Sequence, residues 1–150
     1  MTELKRTDNQ HPDFLYLIPL LDQDLRSRYL DLQDTYDKHN VVVNVDTVVV
    51  AYVDGQPAGC GCFKQSGEQA VEMKRMYVKP EFRRRGVSSS VLKELEKWAG
   101  EMGYREAVLE TGNKQEEAIA MYEKYGYAVI PNYPPYENMV TSICMHKLLI

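Results

Sequence analysis

Three cysteines among 150 residues are too few, and too oddly spaced, for a disulfide framework or a zinc site. Cys60 and Cys62 are separated by one residue with no second pair following, and Cys144 stands alone. Inside a strand a Cys-x-Cys pair points both side chains to one face, where free cysteine behaves as a small hydrophobe, so all three read as reduced structural thiols. His11, His39 and His146 lie far apart and build no visible ligand set, so no metal is expected. A basic excess is missing as well: the net charge of -4 and pI near 5.4 speak against a general nucleic-acid or anionic-membrane binder, and any anion site must be local. No apolar run approaches membrane-spanning length, and Met1 to Gln10 is polar with mixed charges rather than basic and then apolar. The expectation is a cytoplasmic protein with neither a membrane nor a nucleic acid as partner. Internal repeats, linkers and low-complexity tracts are also lacking, so residues 1–150 read as a single domain.

What is present is an ordinary globular composition, 44% apolar and 27% charged. Phe14 to Pro19 reads as a short strand, followed by a helix carrying Leu21, Leu25, Tyr29, Leu32 and Tyr36 on one face, with Asp22 as its cap. Beyond a loop at His39 and Asn40, Thr47 to Val53 and Ala58 to Lys64 flank Asp54-Gly55 as a hairpin. Val71 to Val78 forms the next strand, entered from a turn at Ser66-Gly67. Pro80 closes it, and Glu81 to Arg85 is a charged loop ending at Gly86. Val87, Val91, Leu92, Leu95, Trp98 and Ala99 then recur at helical spacing, and Gly103 terminates that helix before a strand over Arg105 to Glu110. Strand, loop, helix and strand in this order imply a parallel pair joined by a right-handed crossover. A second helix over Lys114 to Lys124 has Asn113 and Glu116 at capping-box spacing and Gly126 as its stop. Tyr127 to Ile130 and Thr141 to Leu148 are the last strands, and the loop Pro131 to Asn138 between them is rich in proline and tyrosine.

The chemistry concentrates where the strand ending at Val78 passes through Arg83-Arg84-Arg85-Gly86 into the helix opening at Val87-Ser88-Ser89. Backbone amides without helix partners and the positive end of the helix dipole converge there, which suits an anion such as a pyrophosphate. Glycine at position 86 permits close approach of the main chain, and Ser88, Ser89 and Ser90 keep the first turn accessible. Taken alone, three consecutive arginines are more often a solvated charge run. A nucleoside triphosphate loop would need the missing Gly-Lys-Ser or Gly-Lys-Thr ending, and a dinucleotide fingerprint would need further glycines.

The surrounding pattern resembles the GNAT family of N-acetyltransferases. Its phosphate-loop pattern, Arg or Gln, two residues, Gly, one residue, then Gly or Ala, reads here Arg83, Arg84, Arg85, Gly86, Val87, Ser88, with serine where the family more often has glycine or alanine. Met76-Tyr77-Val78-Lys79-Pro80 is similar to the family strand that runs into this loop, and Ala120-Met121-Tyr122-Glu123-Lys124-Tyr125-Gly126-Tyr127 to its second signature. The resemblance covers Thr47 to Leu148 and is strongest between Glu72 and Tyr127. It implies an α/β fold with a mixed, mostly antiparallel sheet, a central parallel strand pair linked by a crossover helix, and helices on both faces. The implied activity is acetyl transfer from acetyl-CoA, as co-substrate, to a primary amine of a small molecule or peptide.

By the same resemblance, the Met76, Tyr77 and Val78 strand would pair with the pantetheine arm and Arg83 to Ser89 would hold the pyrophosphate. Asn113 would touch the cofactor arm, although a helix cap explains it equally. Tyr122 would protonate the departing sulfur of CoA, against the alternative of a core tyrosine. The acceptor amine, with a pKa of about 10, must lose a proton before attack. Glu72 and Glu110 are the candidate bases, Glu72 the preferred one; strict alternation would place Glu72 beside Lys74, Met76 and Val78 and opposite Val71, Met73, Arg75 and Tyr77. Attack within a ternary complex, with an oxyanion donor near Met76 or Val78, needs no acyl-enzyme, and nothing beside Cys144 looks like an activating base. The competing readings are a non-catalytic acyl-CoA-binding module and a nucleic-acid contact surface on Arg83 to Arg85. The Pro131 to Asn138 loop, with Tyr133 and Tyr136, could wall the acceptor pocket or support a homodimer contact.

Overall fold

The computed structural model of the protein describes residues 2–28 and 44–149. Its chain runs β1 (Thr2–Thr7), α1 (Pro12–Arg28), β2 (Val48–Val53), β3 (Gln56–Gln65), β4 (Ala70–Val78), a short 3-10 turn (Pro80–Phe82), α2 (Val87–Glu101), β5 (Glu106–Gly112), α3 (Glu116–Lys124), β6 (Ala128–Ile130) and β7 (Ser142–Leu148). The seven strands form one sheet in the order β1-β2-β3-β4-β5-β7-β6. Every neighbouring pair is antiparallel except β4 and β5, which α2 joins as a crossover. This is the mixed, mostly antiparallel sheet with one parallel pair and a crossover helix that the family resemblance implied, helices on both faces included.

Two apolar clusters, one on each face, hold the layers together. On one face, Val87, Val91, Leu92, Leu95 and Ala99 of α2 recur at the helical period and pack over Val49, Ala51, Phe63, Val71 and Met73, and Tyr122 of α3 joins them. On the other, Phe14, Leu17 and Leu21 of α1 cover Val48, Val50, Cys60, Cys62 and Tyr77. Each fully buried aliphatic side chain contributes about 1.5–3 kcal/mol of transfer free energy, so both helices are fixed chiefly by these stripes. Cys60 and Cys62 do share a face, as their spacing implies.

The N-terminal region departs from the sequence reading in two places. Thr2–Thr7 is an edge strand, and Phe14 to Pro19 is helical, not a strand. Phe14, Leu17 and Leu21 have the spacing of a helix face, and Pro19 is tolerated within α1 because the carbonyl it leaves without a donor belongs to Leu15, on the solvent side. Tyr29, Leu32 and Tyr36, and the loop at His39 and Asn40, lie outside the described residues.

A third departure shapes the site. On β3 and β4, Cys60 pairs with Tyr77 and Cys62 with Lys74, so the single residue Gly61 faces two, Arg75 and Met76. This is a β-bulge, with Arg75 in the left-handed region at φ 57°. Gly61 makes it possible, since a Cβ there would collide with the Met76 sulfur and press on Val91 and Leu95. The bulge shifts the alternation by one residue: Met76 and Val78 pack on the α2 face with Val71 and Met73. Arg75 and Tyr77 lie instead on the α1 face with Glu72 and Lys74. The grouping expected from strict alternation is therefore corrected from position 75 onward.

Candidate active site

The parallel pairing of β4 with β5 ends at Met73 and Leu109. Beyond it β4 stays with β3 and β5 stays with β7, so a gap opens between Lys74–Val78 and Glu110–Gly112. The amide of Lys79 donates to the Ala58 carbonyl on β3 at 2.8 Å. Strand alternation then turns the Tyr77 amide toward β3 as well and those of Met76 and Val78 into the gap. The gap thus offers main-chain groups to an extended ligand, as an incomplete sheet offers an edge.

At its outer end the gap runs into the start of α2. Gly86, at φ 76°, precedes the helix, and the first helical hydrogen bond is from the Ser90 amide to the Gly86 carbonyl at 3.0 Å. The amides of Val87, Ser88 and Ser89 therefore have no partner within the helix and lie at its positive end. The three arginines part company here. Arg83 folds back, its Nε donating to the Val78 carbonyl at 2.9 Å and its guanidinium lying 3.9 Å from Asp24. Arg84, at φ 66°, reaches the cleft wall, whereas Arg85 lies over the Phe82 ring. A cleft of about 810 Å³ runs from this turn along Met76, Tyr77 and Val78 to Gln115, Tyr122 and Tyr125 of the α3 region. Its wall carries the cations Arg28, Arg83, Arg84, Lys114 and Lys124 and the carboxylates Asp24, Glu116 and Glu117. The cations, with the free amides of the turn, suit a phosphorylated ligand with a long arm.

Asn113 is not in that wall. Its amide donates to Thr141 at 2.8 Å and its side chain is exposed. Nor does it cap α3, which starts at Glu116 after Gln115. Gln115 turns back, its Oε1 accepting from Thr111 Oγ1 at 2.8 Å and the Gly112 amide at 3.0 Å, and so satisfies the end of β5. The capping-box expectation is overturned because the helix starts at Glu116 rather than Lys114, which leaves Asn113 two residues short of the cap position that Gln115 holds.

At its inner end the cleft adjoins a second pocket of about 90 Å³, and the two share Leu21, Met76, Gln115, Ala118 and Tyr122. Tyr122 is 5% exposed, packed edge-on to Tyr127 with ring centroids 5.7 Å apart. Burial, and next the Glu110 charge, hold its phenol well above the ordinary value, so it stays protonated. Glu110 lies in the small pocket, with Oε2 accepting from Ser142 Oγ at 2.6 Å. Burial pushes its carboxyl up to about 7; the Ser142 hydrogen bond and the Lys74 charge pull it down, and the Glu72 charge pushes it up.

Glu72 is differently placed. Its Oε2 accepts from Tyr133 at 2.9 Å, and its Oε1 lies 3.9 Å from the ammonium groups of both Lys64 and Lys74. The Pro131 to Asn138 loop does wall this pocket: Tyr136 lines it and meets Lys74 Nζ at 3.5 Å, while Asn132 fastens the loop by donating to the Tyr136, Met139 and Ser142 carbonyls. The structure therefore brings Glu72, Glu110, Met76 and Tyr122 together around one pocket and leaves Asn113 and Arg85 out. Sequence reasoning missed Ser142, Gln115 and the pocket role of Lys74. Only the parallel register that aligns Lys74 with Glu110 could have suggested the last. Cys144 is buried beside Glu110 in the ladder, and burial pushes its thiol up to about 11, as befits an inert cysteine.

The comparisons with known proteins identify the family. The model of the acetyltransferase (GNAT) family matches residues 14–127, and the chain belongs to that family. It is similar to the IAA acetyltransferase of Azospirillum brasilense, 34% identical over 102 residues, which is 67% of each chain. Of longer relatives it also matches, it covers about half or less. Among solved structures, a Klebsiella pneumoniae protein named as a candidate acyl-CoA N-acyltransferase superposes with a TM-score of 0.81 at 29% identity, covering 100% of this chain and 99% of that one. The PaiA N-acetyltransferase of Thermoplasma acidophilum, solved in complex with coenzyme A, shares the fold at a TM-score of 0.74 and 17% identity, with 99% of both chains covered. Membership makes the chain an acyl-CoA-dependent acyltransferase. Among the described residues no helix is long and apolar enough to cross a membrane.

Proposed function

We propose that the protein transfers the acetyl group of acetyl-CoA to a primary amine by direct attack in a ternary complex, and that Glu110 takes the amine's proton. The observation that carries this reading is the continuity of the α2 N-terminus, the open β4 edge and the pocket holding Glu110 and Tyr122. The amides of Val87, Ser88 and Ser89 hold the diphosphate, with Arg84 beside it. Met76 and Val78 hold the pantetheine arm, and one of their amides faces the thioester oxygen, where a fixed donor is worth most once charge develops.

Glu110 suits the base better than Glu72. A base works best with a pKa near the working pH, and Glu110 sits at about 7 inside the pocket. Glu72 already serves Tyr133, Lys64 and Lys74. Tyr122 keeps its proton and donates a hydrogen bond to the leaving sulfur. A thiol pKa of about 8.5 makes the thiolate a fair leaving group, so this help is useful and not indispensable. No side chain need form a covalent intermediate.

The test is a thermal shift with acetyl-CoA, followed by an amine screen that reads released thiol. A rise in melting temperature together with amine-dependent thiol release is the expected result. A rise without release from any amine or peptide would reduce the protein to an acyl-CoA-binding module, and no rise would end the reading.

A further inference from the structure

We infer that Lys93 and Lys124, converging on the Tyr125 ring, bind the phosphomonoester on the ribose of coenzyme A, its 3′-phosphate, and so distinguish the acyl donor from its dephospho form. This rests on the acyl-transfer reading above and deepens it on the donor side. Tyr125 follows the last residue of α3, and its hydroxyl meets Ser89 in the first turn of α2. The end of one helix is thereby tied to the start of the other, beside the amides that face the diphosphate. Lys124 and Tyr125 line the cleft together with Val87, Ser88 and Ser89, whereas Arg85, over the Phe82 ring, does not. A nucleotide whose diphosphate sits at those amides has its ribose within reach of Lys124 and Tyr125 and faces away from Arg85.

Two cations share that ring. The Lys93 ammonium lies 4.8 Å and the Lys124 ammonium 5.6 Å from its centroid. Each is mildly stabilised by the aromatic face, yet two ammonium groups drawn to one ring repel each other. The contact with Ser89 first, and then these two charges, hold the Tyr125 phenol below its ordinary value, so both lysines act on one spot. The acids beside Lys93 on α2 are engaged elsewhere, Glu94 with Arg6 at 2.6 Å and Glu96 with Lys147 at 2.8 Å. On α3 the acids of the first turn, Glu116 and Glu117, lie about 10 Å or more along the axis from Lys124. A phosphomonoester brings nearly two negative charges and three acceptor oxygens, which two ammonium groups can share. Bound between them, it turns a repulsion into two charge-assisted contacts. Both lysine side chains are exposed, so the effect should weaken with salt.

The experiment measures the affinity of the wild-type protein for coenzyme A and for dephospho-CoA by isothermal titration at low ionic strength. Coenzyme A should bind about tenfold more tightly, and about 1 M salt should remove most of that margin. The double substitution Lys93→Gln and Lys124→Gln should cut the margin to about twofold or less. Its affinity for dephospho-CoA should stay at the wild-type value, which also shows that the variant folds. Arg85→Gln should keep the full margin. Equal wild-type affinity for the two ligands overturns the inference, although coenzyme A binding stands. A margin that survives the double substitution, or one that Arg85→Gln removes instead, places the phosphate elsewhere and overturns it too. Binding of neither ligand by the wild type would bring down the acyl-transfer reading, and this inference with it.

Discussion

The cleft and the small pocket meet at Met76 and Tyr122, yet they are built from different materials. The cleft is made largely of main chain: amides at the start of α2, the unpaired edge of β4, and a glycine that lets a ligand close. The pocket is made of side chains from separate stretches, among them Leu21 of α1, Glu72 and Lys74, Glu110, Tyr122 and Tyr136, with Ser142 holding Glu110. A site of main-chain groups depends on the fold alone and tolerates many sequences. A site of side chains changes with each substitution, so the first should fix the acyl donor and the second the acceptor.

Removing the base from the pocket should have the largest effect. Glu110→Gln should lower kcat by about 10²–10⁴ while leaving the acetyl-CoA shift intact, which separates the two regions cleanly. Wild-type kcat/KM should rise with pH and level off above about 7, as Glu110 ionises, and this limb should vanish in the variant. Steady-state kinetics across pH would reveal either failure.

Gly86→Asp strikes the other region. Strain at φ 76° and a carboxylate facing a diphosphate should weaken acetyl-CoA by about a hundredfold, and isothermal titration measures it. An unchanged affinity would detach the α2 N-terminus from the cofactor.

Tyr122→Phe should sharpen the boundary, since Tyr122 touches both regions. Unaltered cofactor affinity with kcat lowered about tenfold is expected, from loss of one hydrogen bond in the transition state. Equal turnover would remove the hydroxyl from the mechanism.

A stability measurement gives a smaller, independent check. Glu110 binds its proton more tightly folded than unfolded, with a value of about 7 against an ordinary 4.5. The folded state therefore holds more protons between these values, and this group's contribution to stability is full below about 4.5 and lost as pH rises through 7. The loss amounts to about 3 kcal/mol. Relative to Glu110→Gln, the wild type should lose stability over that window in denaturant titrations; parallel curves would contradict the buried, uphill carboxyl. Ser142→Ala, which deletes a hydrogen bond that holds this pKa down, should move the kinetic limb to higher pH.

The contrast also explains what could be read from the chain. The cleft was legible because contiguous residues build it: Arg83 to Ser89 lie on one loop and turn, and the Val87 to Ala99 stripe declares its helix. The pocket was not, because it depends on a register slip at Arg75 whose one mark is Gly61 on the facing strand, distant in sequence, and on a parallel alignment that sets Lys74 beside Glu110. Alternation assigned Glu72 to the same face as Met76, and a single bulge separated them. Thr2–Thr7 was passed over because an edge strand with one exposed face looks, in sequence, like a polar lead. Phe14 to Pro19, expected as a short strand, is helical because Phe14, Leu17 and Leu21 share one buried face and Pro19 is accommodated on the solvent side.

The most direct measurement is a crystal structure of the protein with coenzyme A. The diphosphate oxygens are expected within hydrogen-bond distance of the Val87, Ser88 and Ser89 amides, the arm along Met76 and Val78, and the sulfur beside the Tyr122 hydroxyl. A diphosphate bound elsewhere, or an arm lying outside the gap between β4 and β5, would contradict the account.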